Sequence, residues 1–101
     1  MAHRNANDNA DPHHLYEIID KVDNDVFKYG ISSDPIDTDG LSKRIRVQVK
    51  IANLLDGWAR FFGRIILTDI PDRRDAKRME KEYIRLYKEK NGRRPRGNLT
   101  E

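Results

Sequence analysis

One carboxylate, Glu80, lies within the apolar arc of a long basic helical segment, and its position needs a chemical reason. On a helical wheel the arc contains Ala76, Met79, Tyr83, Leu86 and Tyr87, with Ile84 at its edge. The other helix carboxylates, Glu82 and Glu89, project to the opposite flank. A carboxylate facing a core costs free energy unless it is paired or holds a cation. Glu80 is therefore expected to have a cationic partner.

A second helical segment, residues 41–55, also carries polar side chains within a wide apolar arc. Arg44 and Gln48 lie one turn apart in the middle of that arc. A guanidinium turned toward a core needs a partner, although its stem could instead lie on apolar surface with the charged head in solvent. A shared site would explain both charges, because Arg44 and Glu80 would offset each other or bind a metal and a phosphate.

Other metal-binding and catalytic patterns fail. The DTDG of residues 37–40 suggests a calcium loop, but with Gly40 at the sixth position Pro35 and Arg46 occupy the first and twelfth, where Asp and Glu are required. His13 and His14 are interpreted as incidental rather than as ligands. The absence of cysteine excludes disulfides and thiolate metal sites. No P-loop and no G-x-S-x-G is present.

The spacing of apolar residues predicts the elements that position these side chains, in the order strand, strand, helix, strand, helix. The predicted strands cover residues 15–19, 26–31 and 65–70; the predicted helices cover 41–55 and the segment from Asp72 to the Asn91-Gly92 stop. The short link between the first two strands favours an antiparallel hairpin. The expected fold class is α+β, a small three-stranded, mainly antiparallel sheet flanked by helices.

Three smaller features bear on packing. Gly30, inside the second strand, indicates a bulge or a close approach by another backbone or a ligand. Trp58, Phe61 and Phe62 are expected to supply aromatic core. The nearly continuous apolar run at residues 65–67 predicts a third strand buried on both faces.

Length and charge limit the possible partners. The 101 residues support one small domain, assigned to residues 14–101 after a polar leader, residues 1–13, that is expected to be disordered and is not a secretory signal. No apolar run is long enough to span a membrane. Residues 1–40 contain three Lys/Arg and nine Asp/Glu, whereas residues 41–98 contain seventeen and seven. The basic part indicates either a polyanionic partner such as nucleic acid or a solvated helix face.

Five short motifs resemble, in order, those of the GIY-YIG nuclease superfamily, and the resemblance covers residues 14–98. HLY (14–16) lies where that family has GIY, and KYG (28–30) where it has YIG. LSKRIRVQ (41–48) resembles the L-x-x-R-[LI]-x-x-H helix motif, AKRMEKEYI (76–84) resembles A-x-x-x-E-x-x-x-I, and PRGN (95–98) matches P-x-x-N. The family arginine and glutamate therefore fall on the two residues already noted as misplaced, Arg44 and Glu80.

Two departures affect the expected site. Gln48 replaces a common histidine, although it could still donate a hydrogen bond to a phosphate. Lys28 occupies the position of the first tyrosine of YIG, with Tyr29 beside it. Strand alternation puts Lys28 on the face of Gly30 and Tyr29 on the other face. Lys28 is therefore assigned to the site and Tyr29 to the core.

The resemblance implies metal-dependent hydrolysis of phosphodiester bonds. Glu80 would hold one divalent cation, Mg²⁺ with Mn²⁺ as the alternative. Arg44 would stabilise the transition state, while Tyr16 would position or deprotonate the attacking water with help from Lys28. The expected substrate is nucleic acid, double-stranded DNA in preference to RNA. Substrate binding is assigned to Gln48, Asn98, Arg73, Arg74 and Lys77.

The layout of the chain also resembles C-terminal toxin modules of bacterial polymorphic toxins. That resemblance implies secretion as part of a larger protein, action in the cytoplasm of a target cell and a dedicated immunity protein. Two alternatives stay open. A catalytically inactive nucleic-acid-binding module of the same fold is favoured by Lys28 in place of tyrosine. A protein-interaction domain would leave Glu80 and Arg44 unexplained.

Overall fold

The protein folds as a three-stranded antiparallel sheet with two helices, as expected. The computed structural model describes residues 11–99, and the strand order is β2-β1-β3. The elements are β1 (His13–Asp20), β2 (Asp25–Ser32), α1 (Lys43–Asp56), β3 (Phe61–Ile70) and α2 (Arg73–Asn91). Within the described range, neither helix is long and apolar enough to cross a membrane.

The chain enters the sheet earlier than expected. β1 begins at His13, which was assigned to the leader but is buried, with Nδ1 2.6 Å from the carbonyl oxygen of Asp11. His14 is also buried, and its Nε2 is hydrogen-bonded to Oγ of Ser42 at 3.0 Å. Burial lowers the pKa of His14. Residues 1–10 of the expected leader lie outside the described residues.

The two faces of the sheet carry different helices because alternate residues of each strand point to opposite sides. On one face Ile45 of α1 packs into a cluster with Tyr16, Ile18 and Phe61. On the other face α2 packs against two clusters. These contain Leu15, Ile31, Ile70 and Ala76, and then Tyr29, Ile84 and Tyr87. Tyr16 and Tyr29 therefore belong to opposite faces.

Part of the expected aromatic core is wrong. Phe61 is buried, but 54% of Trp58 and 39% of Phe62 are exposed. Part of the wide apolar arc of α1 is also exposed, at Val47 and Ile51. The cause is topological. β3 is an edge strand, and α1 covers the sheet with the side that carries Ile45, so no described element lies over its outer side.

The ends of α2 follow the signals in the sequence. The side chain of Asp72 accepts a hydrogen bond from the backbone N–H of Asp75 at 2.8 Å and caps the helix. Gly92 ends it in the left-handed region with φ of 75°. α1 begins at Lys43, two residues later than expected.

A buried carboxylate ties the far end of the sheet to the C-terminal tail. Asp20 is fully buried at the end of β1 and accepts hydrogen bonds from Nε of Arg60 (2.8 Å) and from Arg96. It also accepts one from the backbone N–H of Val22 (2.9 Å). The bond from Arg60, opposed by burial but helped by Arg96, holds the pKa of Asp20 well below its usual range. The tail is thus anchored beside β2.

Candidate active site

A cavity of about 710 Å³ gathers most of the candidate residues. It takes Tyr16 from β1, Lys28 from β2, Arg44 from α1 and Glu80 from α2. Three of the five residues assigned to substrate binding also line it: Arg73, Lys77 and Asn98. Gln48 contacts the site through Tyr16. Arg74 is exposed and lies outside the cavity.

Tyr16 is fixed by burial on the side of the sheet that carries α1. It is opposite Gly30 in the antiparallel pairing of β1 and β2, and a Cβ at Gly30 would overlap the tyrosine ring. The group that approaches Gly30 is therefore the side chain of Tyr16, rather than the backbone or ligand that the sequence suggested. The Tyr16 hydroxyl donates to Oε1 of Gln48 at 2.5 Å. Burial raises the pKa of Tyr16 despite the opposing charge of Arg44, so the free site holds a protonated phenol at neutral pH.

Lys28 and Tyr29 separate as strand alternation predicts. Lys28 pairs with Ile18 in the sheet and is half-buried at the cavity. Burial, reinforced by the nearby charge of Arg44 and opposed by Glu80, lowers the pKa of Lys28. Tyr29 borders the cavity as well, but its ring packs in the core under α2, 5.5 Å from the ring of Tyr83.

Arg44 lies at the rim of the cavity rather than in the core. Its side chain is exposed because the neighbouring part of the apolar arc of α1 is itself uncovered. Of the two arrangements that the sequence leaves open for Arg44, the structure shows the exposed one. Its position still matters chemically, since its charge limits the rise that burial causes in the pKa of Tyr16 and adds to the fall that burial causes in the pKa of Lys28.

Glu80 projects into the cavity from α2, and only 13% of its side chain is exposed. Its Oε1 is 3.6 Å from Nζ of Lys77, one helical turn earlier. The cationic partner that its position required is thus found on its own helix. No other ion pair of Glu80 is recorded among residues 11–99.

The C-terminal tail forms one wall of the cavity through Gly97, Asn98 and Leu99. The side-chain amide of Asn98 accepts from the backbone N–H of Tyr29 and donates to its carbonyl, both at 2.9 Å. The backbone N–H of Gly97 donates to the carbonyl of Phe27 at 2.7 Å. The tail therefore pairs with the free edge of β2. Asn98 acts here as a positioning residue, with its amide engaged by backbone rather than presented to a substrate.

The donor set fits a weakly ligated magnesium-type ion. In the part of the chain that the structure describes, no three residues of the His, Cys, Asp and Glu types form a cluster that could enclose a metal. Glu80 faces the cavity amid cationic side chains, and Asp34 is a second carboxylate of the cavity lining. Mg²⁺ retains several waters and is commonly held by one or two carboxylates together with substrate phosphates. Glu80 can therefore supply the protein ligand for such an ion.

The residues of the cavity wall that sequence reasoning missed include His13, Ser33 and Asp34. Ser33 and Asp34 belong to the loop after β2, where no periodicity marks which side chains turn inward. His13 was missed because β1 begins before its apolar alternation does. The only available signal was the turn-forming SDP that follows the second strand.

One known protein family matches this chain. The profile of one family, described as URI fold toxin 2 (Tox-URI2), matches residues 6–92. The match contains Tyr16, Lys28, Arg44 and Glu80, and it stops before the tail that carries Asn98. No curated protein and no solved structure shows a significant match to the chain. Because the profile covers most of its length, the chain belongs to the URI fold toxin 2 family.

Proposed function

We propose that this toxin module is a metal-dependent endonuclease of the GIY-YIG type. The observation that carries the proposal is the convergence of Tyr16, Lys28, Arg44 and Glu80, from four different elements, on one cavity. Such an arrangement combines a carboxylate that can bind a metal ion and a guanidinium that can neutralise phosphate charge. It also contains a phenol and an amine that can donate or accept a proton. Membership of a toxin family with a nuclease-like fold supports it.

Each side chain has a distinct role in this proposal. A divalent cation held by Glu80 would neutralise charge developing on the phosphate and the leaving oxygen. Arg44, exposed at the rim, donates to the non-bridging oxygens of the transition state. Gln48 holds the hydroxyl of Tyr16 in one orientation. That fixed hydroxyl positions the attacking water.

The pKa shifts divide the proton chemistry between Tyr16 and Lys28. A base must be deprotonated before reaction. The raised pKa of Tyr16 opposes that state, whereas the lowered pKa of Lys28 favours it. We therefore assign removal of the proton from water to Lys28 and orientation of the water to Tyr16. This refines the roles expected from the sequence, where Lys28 only assisted.

The substrate we propose is double-stranded DNA in preference to RNA, bound through its phosphates. Arg73 and Lys77 extend the cationic lining of the cavity along α2. Contacts of this kind give affinity without sequence choice. Because a toxic nuclease endangers the cell that makes it, we also propose a cognate immunity protein as a partner.

Plasmid nicking tests the proposal. We expect the wild type to nick supercoiled DNA with Mg²⁺ and to be inactive with EDTA, and Glu80→Ala to lose about 100-fold or more in rate. The matched control is Glu82→Ala, since Glu82 is an exposed carboxylate on the same helix paired with Arg85 outside the cavity. Full activity of Glu80→Ala, or of the wild type in EDTA, would overturn the proposal.

A second candidate function is a nucleic-acid-binding module without turnover. The observation that favours it is the complete burial of Tyr16, which keeps the phenol protonated in the free site. The same assay separates the two functions. Binding of duplex DNA with no nicking under any divalent ion would establish the non-catalytic module.

A further inference from the structure

The carboxylate assigned to the metal already has an internal counter-ion. Nζ of Lys77 is 3.6 Å from Oε1 of Glu80, which is beyond hydrogen-bonding distance but within ion-pair range. Glu80 is 13% exposed and Lys77 is 42% exposed. The ammonium can therefore leave the pair toward solvent, whereas the carboxylate stays in the cavity.

A divalent cation and this ammonium would compete for the same oxygen atoms. Two positive charges a few ångströms apart repel each other strongly in a partly enclosed site. Lysine carries its charge on a flexible four-carbon stem, so Lys77 is the group that moves. Binding of the cation would thus release the ammonium of Lys77 from Glu80 into the cavity.

Arg73 lies where an anion would bind together with the released ammonium of Lys77. It lines the same cavity one turn before Lys77, on the same side of α2. Its Nε is buried and lacks a hydrogen-bond partner among the described residues, an arrangement that costs free energy until an acceptor arrives. Of the two carboxylates near Arg73 in sequence, Asp72 caps the helix and Asp75 pairs with Arg78 at 3.2 Å, while Asp34 also lines the cavity.

We propose that Lys77 is the counter-ion of Glu80 that a divalent cation displaces, and that the released ammonium joins Arg73 in holding a phosphate of the nucleic-acid strand. Metal and substrate then bind with positive coupling, because each needs Lys77 in the same position. This inference rests on the proposed nuclease function. It adds a phosphate subsite on α2 that is separate from Arg44.

Binding of Mn²⁺ in the absence of nucleic acid tests the displacement, measured by electron paramagnetic resonance of the free ion. Lys77→Ala is expected to bind Mn²⁺ about two- to fivefold more tightly, the range given by a partly exposed ion pair. Arg78→Ala is the control for the loss of one positive charge on the same helix, and its Mn²⁺ affinity should equal that of the wild type. Unchanged or weaker binding by Lys77→Ala, or equal tightening by Arg78→Ala, would overturn the proposal.

Duplex DNA binding tests the second half. At fixed ionic strength, Lys77→Ala is expected to lose about threefold or more in affinity with Ca²⁺ and little in EDTA, because only the released ammonium contacts phosphate. An equal loss in both buffers would contradict the coupling. If the wild type neither binds Mn²⁺ nor nicks DNA, both the proposed function and this inference are refuted. Glu80-dependent Mn²⁺ binding with a neutral Lys77→Ala would end only the inference.

Discussion

At the scale of single residues, the neighbours Lys28 and Tyr29 of β2 lie on opposite faces of the sheet, Lys28 at the cavity and the ring of Tyr29 in the core. Lys28 shares a face with Gly30 and Tyr16, where burial lowers its pKa. Tyr29 points under α2, where burial and the charge of Glu17 raise its pKa to about 12. Burial therefore favours the deprotonated form of the lysine, the form in which it can accept a proton. Strand alternation alone was sufficient to assign the two side chains.

Substitution of these neighbours should have opposite consequences for rate. Lys28→Ala is expected to lose about 100-fold in single-turnover cleavage because the base is gone, whereas Tyr29→Phe keeps the packed ring and should stay near the wild-type rate. A base acts only when deprotonated, so the wild-type rate should rise with pH until the lowered pKa of Lys28 is passed. Lys28→Ala should lack that rise. The reverse order of the two variants would contradict the assignment.

At the scale of elements, the C-terminal tail is hydrogen-bonded to the edge of β2 without forming a strand. Gly97 and Asn98 satisfy backbone groups at the β2 edge, and the same residues wall the cavity. The position of Lys28 therefore depends on a segment distant in sequence. The match to the family profile ends at residue 92, before this segment.

Loss of the tail contact should be visible in amide exchange. Asn98→Ala removes the acceptor of the Tyr29 N–H, so this amide is expected to exchange at least about tenfold faster, consistent with the loss of one hydrogen bond. The Leu15 amide, in the central strand, serves as the internal reference and should be unaffected. Unaltered protection of Tyr29 in the variant would show that the tail does not hold β2.

The existence and order of the elements could be predicted from the sequence because apolar spacing distinguishes helix from strand over these lengths. Periodicity shows which residues share a face, but it does not show whether another element covers that face. Val47 and Ile51 were therefore expected inside, as was Trp58, although all three are exposed. The spacing of apolar residues does not reveal that β3 forms an edge of the sheet.

At the scale of the whole molecule, Asp20 joins parts of the chain that are far apart in sequence. Its carboxylate is buried between Arg60, before β3, and Arg96, in the tail. No local pattern predicts a bond between residues 40 or 76 positions apart. The candidate site differs in this respect, since most of its residues lie within motifs that the sequence displays. The residues that line the cavity were therefore easier to predict than the distant contacts that support it.

Because the carboxylate of Asp20 is buried and hydrogen-bonded, its contribution to the free energy of unfolding should depend on pH. The folded pKa of Asp20 lies below its unfolded value of about 4, so its contribution is complete above that value and disappears as the pH falls through the folded pKa. Asp20→Asn should lower the free energy of unfolding by about 2 kcal/mol at pH 7, measured in urea, and by less in acid. Asp23→Asn, an exposed member of the same ion-pair group, should change it little. A loss independent of pH would refute this account.

A double-mutant cycle tests most directly the claim that a single metal-dependent site acts as a unit. Single-turnover nicking with Mg²⁺ should fall about 100-fold or more in Arg44→Ala and in Glu80→Gln. If both act on the same phosphoryl transfer, the double variant should be about as slow as the slower single variant. Losses that multiply as independent effects, or a wild-type rate in either single variant, would contradict a shared site in this cavity.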